Sequence, residues 1–234
     1  MEGGINLRPE QVNHKGLLID LAIYLSVMFL VREIHIPQVG FIANGLFWSF
    51  TTLVLASWRM KVRNVTWKEL GLRKPESFGK TLGVSAIILA TVMISIIAFE
   101  IIKDHLPFTI APDTSSESAV DKFGDLKGNW PHFFLIIFFI WVESMLEEML
   151  DRGFLMNWFE RLFSFSSFAT VFAVILQAVI FGFRHSYDLS ARSITVGIIG
   201  LIMGVAYVKF GRNLWPLIIA HGLLNSMSMI ERVF

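Results

Sequence analysis

Along the chain, apolar residues gather into runs long enough to cross about 30 Å of hydrocarbon. They cover roughly 16–32, 38–58, 78–102, 131–150, 166–185, 193–209 and 213–230. Each reads as a helix, because helices satisfy their own backbone polar groups in lipid. The last run opens with Asn213-Leu-Trp-Pro216: proline suits a helix's first turn, and tryptophan suits a membrane boundary. The first run ends at Val31-Arg32 with no small-residue cleavage pattern, so it is expected to be a retained span rather than a signal peptide. No internal repeat or low-complexity tract interrupts the series. The pattern predicts an all-α, polytopic transmembrane helical bundle of about seven spans, forming one integral membrane domain over 1–234.

Composition agrees with this reading. The chain is 54% hydrophobic and 17% charged, with a mean hydropathy of +0.61, far from a soluble domain. A net charge of +1 with scattered basic residues gives no reason to expect a nucleic-acid partner. The absence of cysteine excludes disulfides, thiolate metal sites and a cysteine nucleophile. The segment 59–77 carries Arg59, Lys61, Arg63, Lys68, Arg73 and Lys74 against Glu69 and Glu76, an excess expected on the cytoplasmic side. The segment 103–130 carries Asp104, Asp113, Glu117, Asp121 and Asp125, and is expected on the opposite side. With seven spans, the N-terminus is then cytoplasmic and the C-terminus outside.

Against this apolar background the stretch Glu143 to Arg152 stands out, with four carboxylates and one arginine following directly on Phe133–Val142. Charges within a span are expensive and mark function by default. Glu148 and Arg152 are one helical turn apart and can pair. Glu143, Glu147 and Asp151 form a second stripe with no basic residue of its own, so its acids need partners from another helix. Later segments supply polar groups: His185 in Phe181-Gly-Phe-Arg-His185, and His221 with Asn225 on one helical face. Taken singly, His221 and Asn225 are as readily explained by interhelical hydrogen bonding, and His185 by a place near the membrane boundary. Taken together, an acid, two imidazoles and an amide can hold and activate a water. Two imidazoles and a carboxylate also suit zinc, so Glu147, His185 and His221 are the ligands expected for a divalent cation, if one binds. Neither a His-Glu-x-x-His motif nor a Gly-x-Ser-x-Gly elbow is present, which leaves a zincin or serine hydrolase unsupported.

Three spacings then line up. Glu147-Glu148-Met-Leu-Asp-Arg152 fits Glu-Glu-x-x-x-Arg, Phe181 to His185 fits Phe-x-x-x-His, and His221 to Asn225 fits His-x-x-x-Asn. In that order on separate apolar helices, they resemble the signature of the CPBP (CAAX protease and bacteriocin-processing, or Abi) intramembrane proteases, relatives of the Ras-converting CAAX protease. Glu69-Leu-Gly-Leu-Arg-Lys-Pro75 and Gly211–His221 are similar to the same family, so the resemblance covers about 65–230. One position departs from it. The residue before the arginine is usually apolar or aromatic in the family, and here it is Asp151, beside Glu147 on the acidic stripe; it is expected to raise the working pKa of Glu147, to help bind a cation, or to mark a different substrate.

The resemblance implies an intramembrane endopeptidase of the cell membrane of a prokaryote, acting on a membrane-associated protein or peptide, with lipid as its surroundings. It implies that Glu147 and His185 activate a water, that His221 and Asn225 stabilise the oxyanion, and that Glu148 and Arg152 are the structural pair. It favours chemistry without a resident metal, zinc being the alternative. Prenylated CAAX peptides, bacteriocin precursors, signalling peptides and lipoprotein fragments are all open as substrates. Two other readings use the same residues: a non-catalytic immunity or regulatory protein that binds a partner in the cavity, and a proton or ion pathway. The span limits also conflict with the motif. At about 1.5 Å per residue, Glu147 falls toward the inner end of a span over 131–150, while His185 ends its own near the outside. The two meet only if the fourth span shifts toward 141–162, or if a helix is tilted or re-entrant.

Overall fold

A computed structural model describes residues 13–107, 109–111 and 122–234, and every regular element in them is helical. The order is α1 (His14–Leu30), α2 (Gly40–Val62), α3 (Phe78–Ile102), α4 (Trp130–Glu148), a π-helical segment (Met149–Leu155), α5 (Met156–Leu162), α6 (Ala169–Phe183), α7 (Ala191–Lys209) and α8 (Trp215–Ile230). Asn13, Ser77 and Asn129 cap the first turns of α1, α3 and α4 with their side-chain oxygens. By length and composition four helical stretches can cross a membrane: His14–Glu33, Pro37–Val62, Phe78–His105 and Ala191–Lys209. The apolar α6 and α8 are shorter. Large apolar side chains such as Val54, Ile94 and Phe138 stand exposed, as they do in a bundle whose outer surface meets lipid rather than water. The chain is an integral membrane protein. Of the acidic segment 103–130, Asp113, Glu117 and Asp121 lie outside the described residues.

The structure corrects the fourth span. It does not end near residue 150: α4, the π segment and α5 run on as one rod from Trp130 to Leu162, and α6 returns alongside α5 after the turn at 163–168. The charges of Asp151 and Arg152 look like a helix end in sequence, yet both side chains are completely buried. The wider π turn leaves carbonyls without their usual helical partners. Asn157 answers this, its amide reaching the carbonyls of Arg152 (3.0 Å) and Gly153 (2.8 Å) and the hydroxyl of Tyr207 (3.0 Å). The long rod also removes the conflict over levels. Glu147 lies about 23 Å along the rod from Leu162, and His185 about 24 Å from the start of α6, so the two sit at one height in the hairpin.

Small residues let the helices of the core close up. A Cβ at Gly182 of α6 would lie 2.4 Å from the Ser193 carbonyl oxygen of α7, and one at Gly200 would lie 3.1 Å from Phe181. Backbones approach this closely in membrane bundles where glycine leaves room. At one end of the bundle, Asp20 of α1 is fully buried and takes hydrogen bonds from Arg59 of α2, from Arg63 just past it, and from the indole of Trp158 on α5 (3.2 Å). Nearby, Tyr207 donates to the Leu70 carbonyl at 2.9 Å, the Leu214 amide donates to the Gly71 carbonyl at 3.0 Å, and Arg73 donates to the Gly211 carbonyl at 2.8 Å. Gly71 has φ +100°, and a Cβ there would sit 2.4 Å from the Arg212 carbonyl oxygen. The two flanking stretches singled out by sequence therefore dock on each other, bracing the base of α8.

Candidate active site

Glu147 projects from the last turn of α4 into a cavity of about 610 Å³. Its Oε1 lies 3.7 Å from His185 Nε2 and its Oε2 lies 3.5 Å from His221 Nε2. The three side chains come from α4, the segment just after α6, and α8, so one carboxylate faces two imidazoles across the hairpin. Each ring is oriented from behind. His185 Nδ1 is 2.6 Å from the Phe181 carbonyl, which can only accept, so Nδ1 carries the hydrogen and Nε2 turns its lone pair toward Glu147. His221 Nδ1 is 2.8 Å from Glu148 Oε1, and the same oxygen receives Arg152 at 3.0 Å. Glu148 and Arg152 thus pair as their spacing predicts, and the pair also holds the ring of His221. Arg152 is further seated over the face of Phe181, 4.3 Å from the ring centre, and points a nitrogen at the Gly200 carbonyl (3.4 Å). The phenylalanine of Phe-x-x-x-His thereby serves three neighbours: its carbonyl orients His185, and its ring carries Arg152 and abuts His221.

Asn225, one turn beyond His221, lines the same cavity and donates to Ser144 Oγ on α4 at 3.1 Å. The close approach of α8 to α4 depends on Gly222, which packs against the Trp141 ring, while the Trp141 indole donates to Ser226 Oγ at 3.1 Å. Glu143, one turn before Glu147, receives the hydroxyl of Ser49 on α2. Sequence reasoning overlooked Arg184. It lies next to His185, is buried, and donates from one nitrogen, Nη2, to both Asp151 Oδ2 (2.7 Å) and Glu147 Oε1 (3.3 Å). This is the basic partner that the acidic stripe lacks on its own helix, and its only trace in the sequence is one unassigned cation inside Phe-Gly-Phe-Arg-His. Arg32, just past α1, fixes Arg184 by donating to its carbonyl at 2.6 Å. In the connection after α6, outside the spans, hydrogen bonds from Ser190 to Asp188 hold that carboxyl below its ordinary range.

The donor types at Glu147, His185 and His221 suit zinc, while among the described residues no three His, Cys, Asp or Glu side chains are gathered as a metal-holding group; the steps below are derived from the chain's own residues. What the arrangement offers is a partly buried carboxylate between two imidazoles at distances that leave room for a small polar molecule.

Residues 129–227 match the family model described as type II CAAX prenyl endopeptidase Rce1-like. The matched segment begins at the cap of α4, runs through α8, and contains all three motifs. Over these residues the chain is similar to the CAAX-protease family. Compared with curated proteins and with solved structures, the chain has no significant match to either. The match starts later than the residue 65 suggested by sequence, so α1 to α3 lie outside it. They nonetheless build part of the cavity, since Met28, Arg32 and Ser49 line it.

Proposed function

We propose that this CAAX-type protease is an intramembrane endopeptidase that hydrolyses a peptide bond of a membrane-associated protein or peptide, with Glu147 as general base. The observation that supports this is the facing of Glu147 by His185 Nε2 and His221 Nε2 inside one cavity. A water held between Glu147 and His185 passes a proton to the carboxylate as its oxygen adds to the scissile carbonyl carbon. Negative charge then develops on the former carbonyl oxygen. His221 donates to it from Nε2 in its doubly protonated form, with Nδ1–H kept on Glu148 and the Glu148 carboxylate as counter-charge, and Asn225 donates from its amide. The C–N bond breaks, Glu147 returns the proton to the leaving nitrogen, and an acid and an amine depart. Glu148 and Arg152 take no part beyond holding His221 and the rod.

The test needs no knowledge of the substrate. Membrane fractions from cells carrying the full chain or its E147Q variant are compared by mapping peptide termini, with equal protein levels verified. New termini that depend on Glu147 are expected, and Glu147→Ala and His185→Ala should remove the same set, since a general base contributes about 10²–10⁴-fold. If E147Q, nearly isosteric but unable to act as a base, retained all of them, the endopeptidase reading would fail in favour of a partner-binding role.

A further inference from the structure

The proposed chemistry needs His185 beside Glu147, yet His185 is not on a helix: α6 stops at Phe183, and the backbone beyond it must be held by other means. A helix end leaves its last carbonyls without helical partners. Here they are taken in turn. The His185 amide reaches the Gly182 carbonyl (3.2 Å), the His185 ring reaches the Phe181 carbonyl (2.6 Å), and the Ser186 and Tyr187 amides reach the Phe183 carbonyl (3.4 and 2.7 Å). The next carbonyl, that of Arg184, is taken from outside the hairpin by Arg32 Nη1 at 2.6 Å. Arg32 in turn rests against two aromatic rings, its guanidinium carbon lying 5.0 Å from the ring centre of Trp48 on α2 and 4.9 Å from that of Tyr187. Trp48 is anchored by its indole N–H on the Ile34 carbonyl (2.8 Å). Tyr187 is the costly member. Its φ of +56° is in the left-handed region, which glycine adopts freely at a helix end and a bulky residue rarely does. Such a conformation persists where the surroundings hold it in place. What the tyrosine supplies there, and glycine would not, is a ring that meets Arg32, Phe29 of α1 (6.0 Å between centres) and Phe183 (5.7 Å).

Resting on the endopeptidase reading for its consequence, we infer that Arg32 and Tyr187 are positioning residues: Arg32, seated on the rings of Tyr187 and Trp48, clasps the Arg184 carbonyl and so fixes the segment that carries His185 against α1 and α2. Both residues lie outside the 129–227 match or past the motif histidine within it, and neither is one of the groups assigned to bond changes. The clasp ties the last motif-bearing turn of α6 to two helices that the family model does not cover. Loosening it frees the backbone on which the His185 ring is mounted, and the ring's 3.7 Å approach to Glu147 is lost with it. Arg32 and Trp48 line the cavity, whereas Tyr187 is not among its lining residues. A substitution at Tyr187 therefore acts on the site through Arg32 and the backbone, and not through a substrate lying in the cavity.

The experiment compares the full chain with R32Q, Y187G and R32Q/Y187G by two readouts: hydrogen exchange of the backbone amides at 185–187 in detergent, and formation of Glu147-dependent termini per folded molecule. Each single variant should exchange roughly tenfold faster at these amides and lose turnover by about tenfold or more. In Y187G the glycine relieves the left-handed backbone, so Tm should stay close to that of the unaltered chain while turnover falls, a split that a role confined to stability does not produce. The double variant should be no worse than R32Q alone, because both changes open one clasp. Should R32Q fail to fold, R32K keeps the charge and a donor but lacks the planar fork, and smaller changes of the same sign are expected. Full turnover in Y187G beside a loss in R32Q would assign Arg32 to the substrate and overturn the inference. Faster exchange without loss of turnover, or losses that multiply in the double variant, would overturn it too. Failure of the endopeptidase reading shows separately, as termini retained in E147Q, while exchange at 185–187 still reports whether the clasp holds the segment.

Discussion

Gly222 offers a direct way to ask whether helix packing sets the site. An alanine Cβ there would meet the Trp141 ring at 2.7–2.9 Å, where ordinary contacts begin near 3.4 Å. Either the ring yields or α8 retreats by about 0.7 Å. Trp141 is tethered by its indole N–H to Ser226, itself on α8 one turn on, so the ring is not free to swing. A retreat of α8 carries His221 with it. The 2.8 Å bond from His221 to Glu148 would stretch to about 3.5 Å, at the edge of any hydrogen bond, and His221 would leave the reach of Glu147. Overpacking of this kind costs about 1–3 kcal/mol, and for a chain of this length a loss near 2 kcal/mol lowers Tm by roughly 4–8 °C. A displacement of this size at a catalytic group is worth about 10²-fold in rate.

G222A is therefore expected to fold, to melt several degrees lower, and to lose far more activity than its lost stability explains at a temperature where it is still folded. Thermal unfolding in detergent and formation of Glu147-dependent termini measure the two effects on one preparation. Releasing the ring supplies the control. In G222A/S226A the tryptophan can move, so the double variant should be more active than the product of the two single effects predicts. G222A with unchanged Tm and turnover would show that α8 does not depend on this contact and that the placement of His221 is fixed elsewhere.

The remaining predictions concern the scaffold and the chemistry. D20N leaves Arg59 and Arg63 without their buried carboxylate and should destabilise the chain by about 3–5 kcal/mol, read as a fall in Tm with turnover per folded molecule retained; a wild-type Tm would refute the anchoring role. Tyr207→Phe removes the donor to the Leu70 carbonyl and should cost about 1–3 kcal/mol, measured the same way, with little change in rate. Glu69 lies in the 63–77 connection, and the hydroxyl and amide of Thr66 hold its carboxyl below the ordinary value near 4.5. A lowered folded-state value stabilises above that pH and is lost as pH falls through it, so wild type should lose Tm relative to E69Q only below about pH 4.5. Dialysis against a chelator should leave turnover unchanged on the proposed mechanism, and a loss that zinc restores would require the metal-bearing alternative.

How much of this was legible in the sequence depends on the range of each interaction. The helices were legible, because an apolar run records its own length. The Glu148–Arg152 pair was legible too, because both partners sit on one helix at a spacing that puts them in contact. The partnership of His221 with Glu148, and of Arg184 with Asp151, spans 73 and 33 residues, and nothing local to either partner records it. The motif resemblance grouped Glu147, His185, His221 and Asn225, but it said nothing of Arg184, Ser144 or Ser49.

The least legible feature is also the one that places the rest. Asp151 and Arg152 are polar enough to mimic a helix end, so hydropathy stops the fourth span near 150 and puts Glu147 and His185 at different depths. In the structure each charge is met inside the bundle, Asp151 by Arg184 and Arg152 by Glu148 with Phe181. The helix can therefore continue for about three more turns to Leu162 before α6 turns back. Burial of these charges and meeting of the site residues are thus one event: the rod passes 150 only because α6 supplies the counter-charge, and α6 brings His185 level with Glu147 only because the rod passes 150. It follows that the loss of Arg184 should loosen the π segment. In R184Q, backbone amides of 149–155 should exchange with solvent faster than in R152K, whose ion pair to Glu148 is retained; equal protection in the two variants would separate the length of the rod from the charge that α6 contributes.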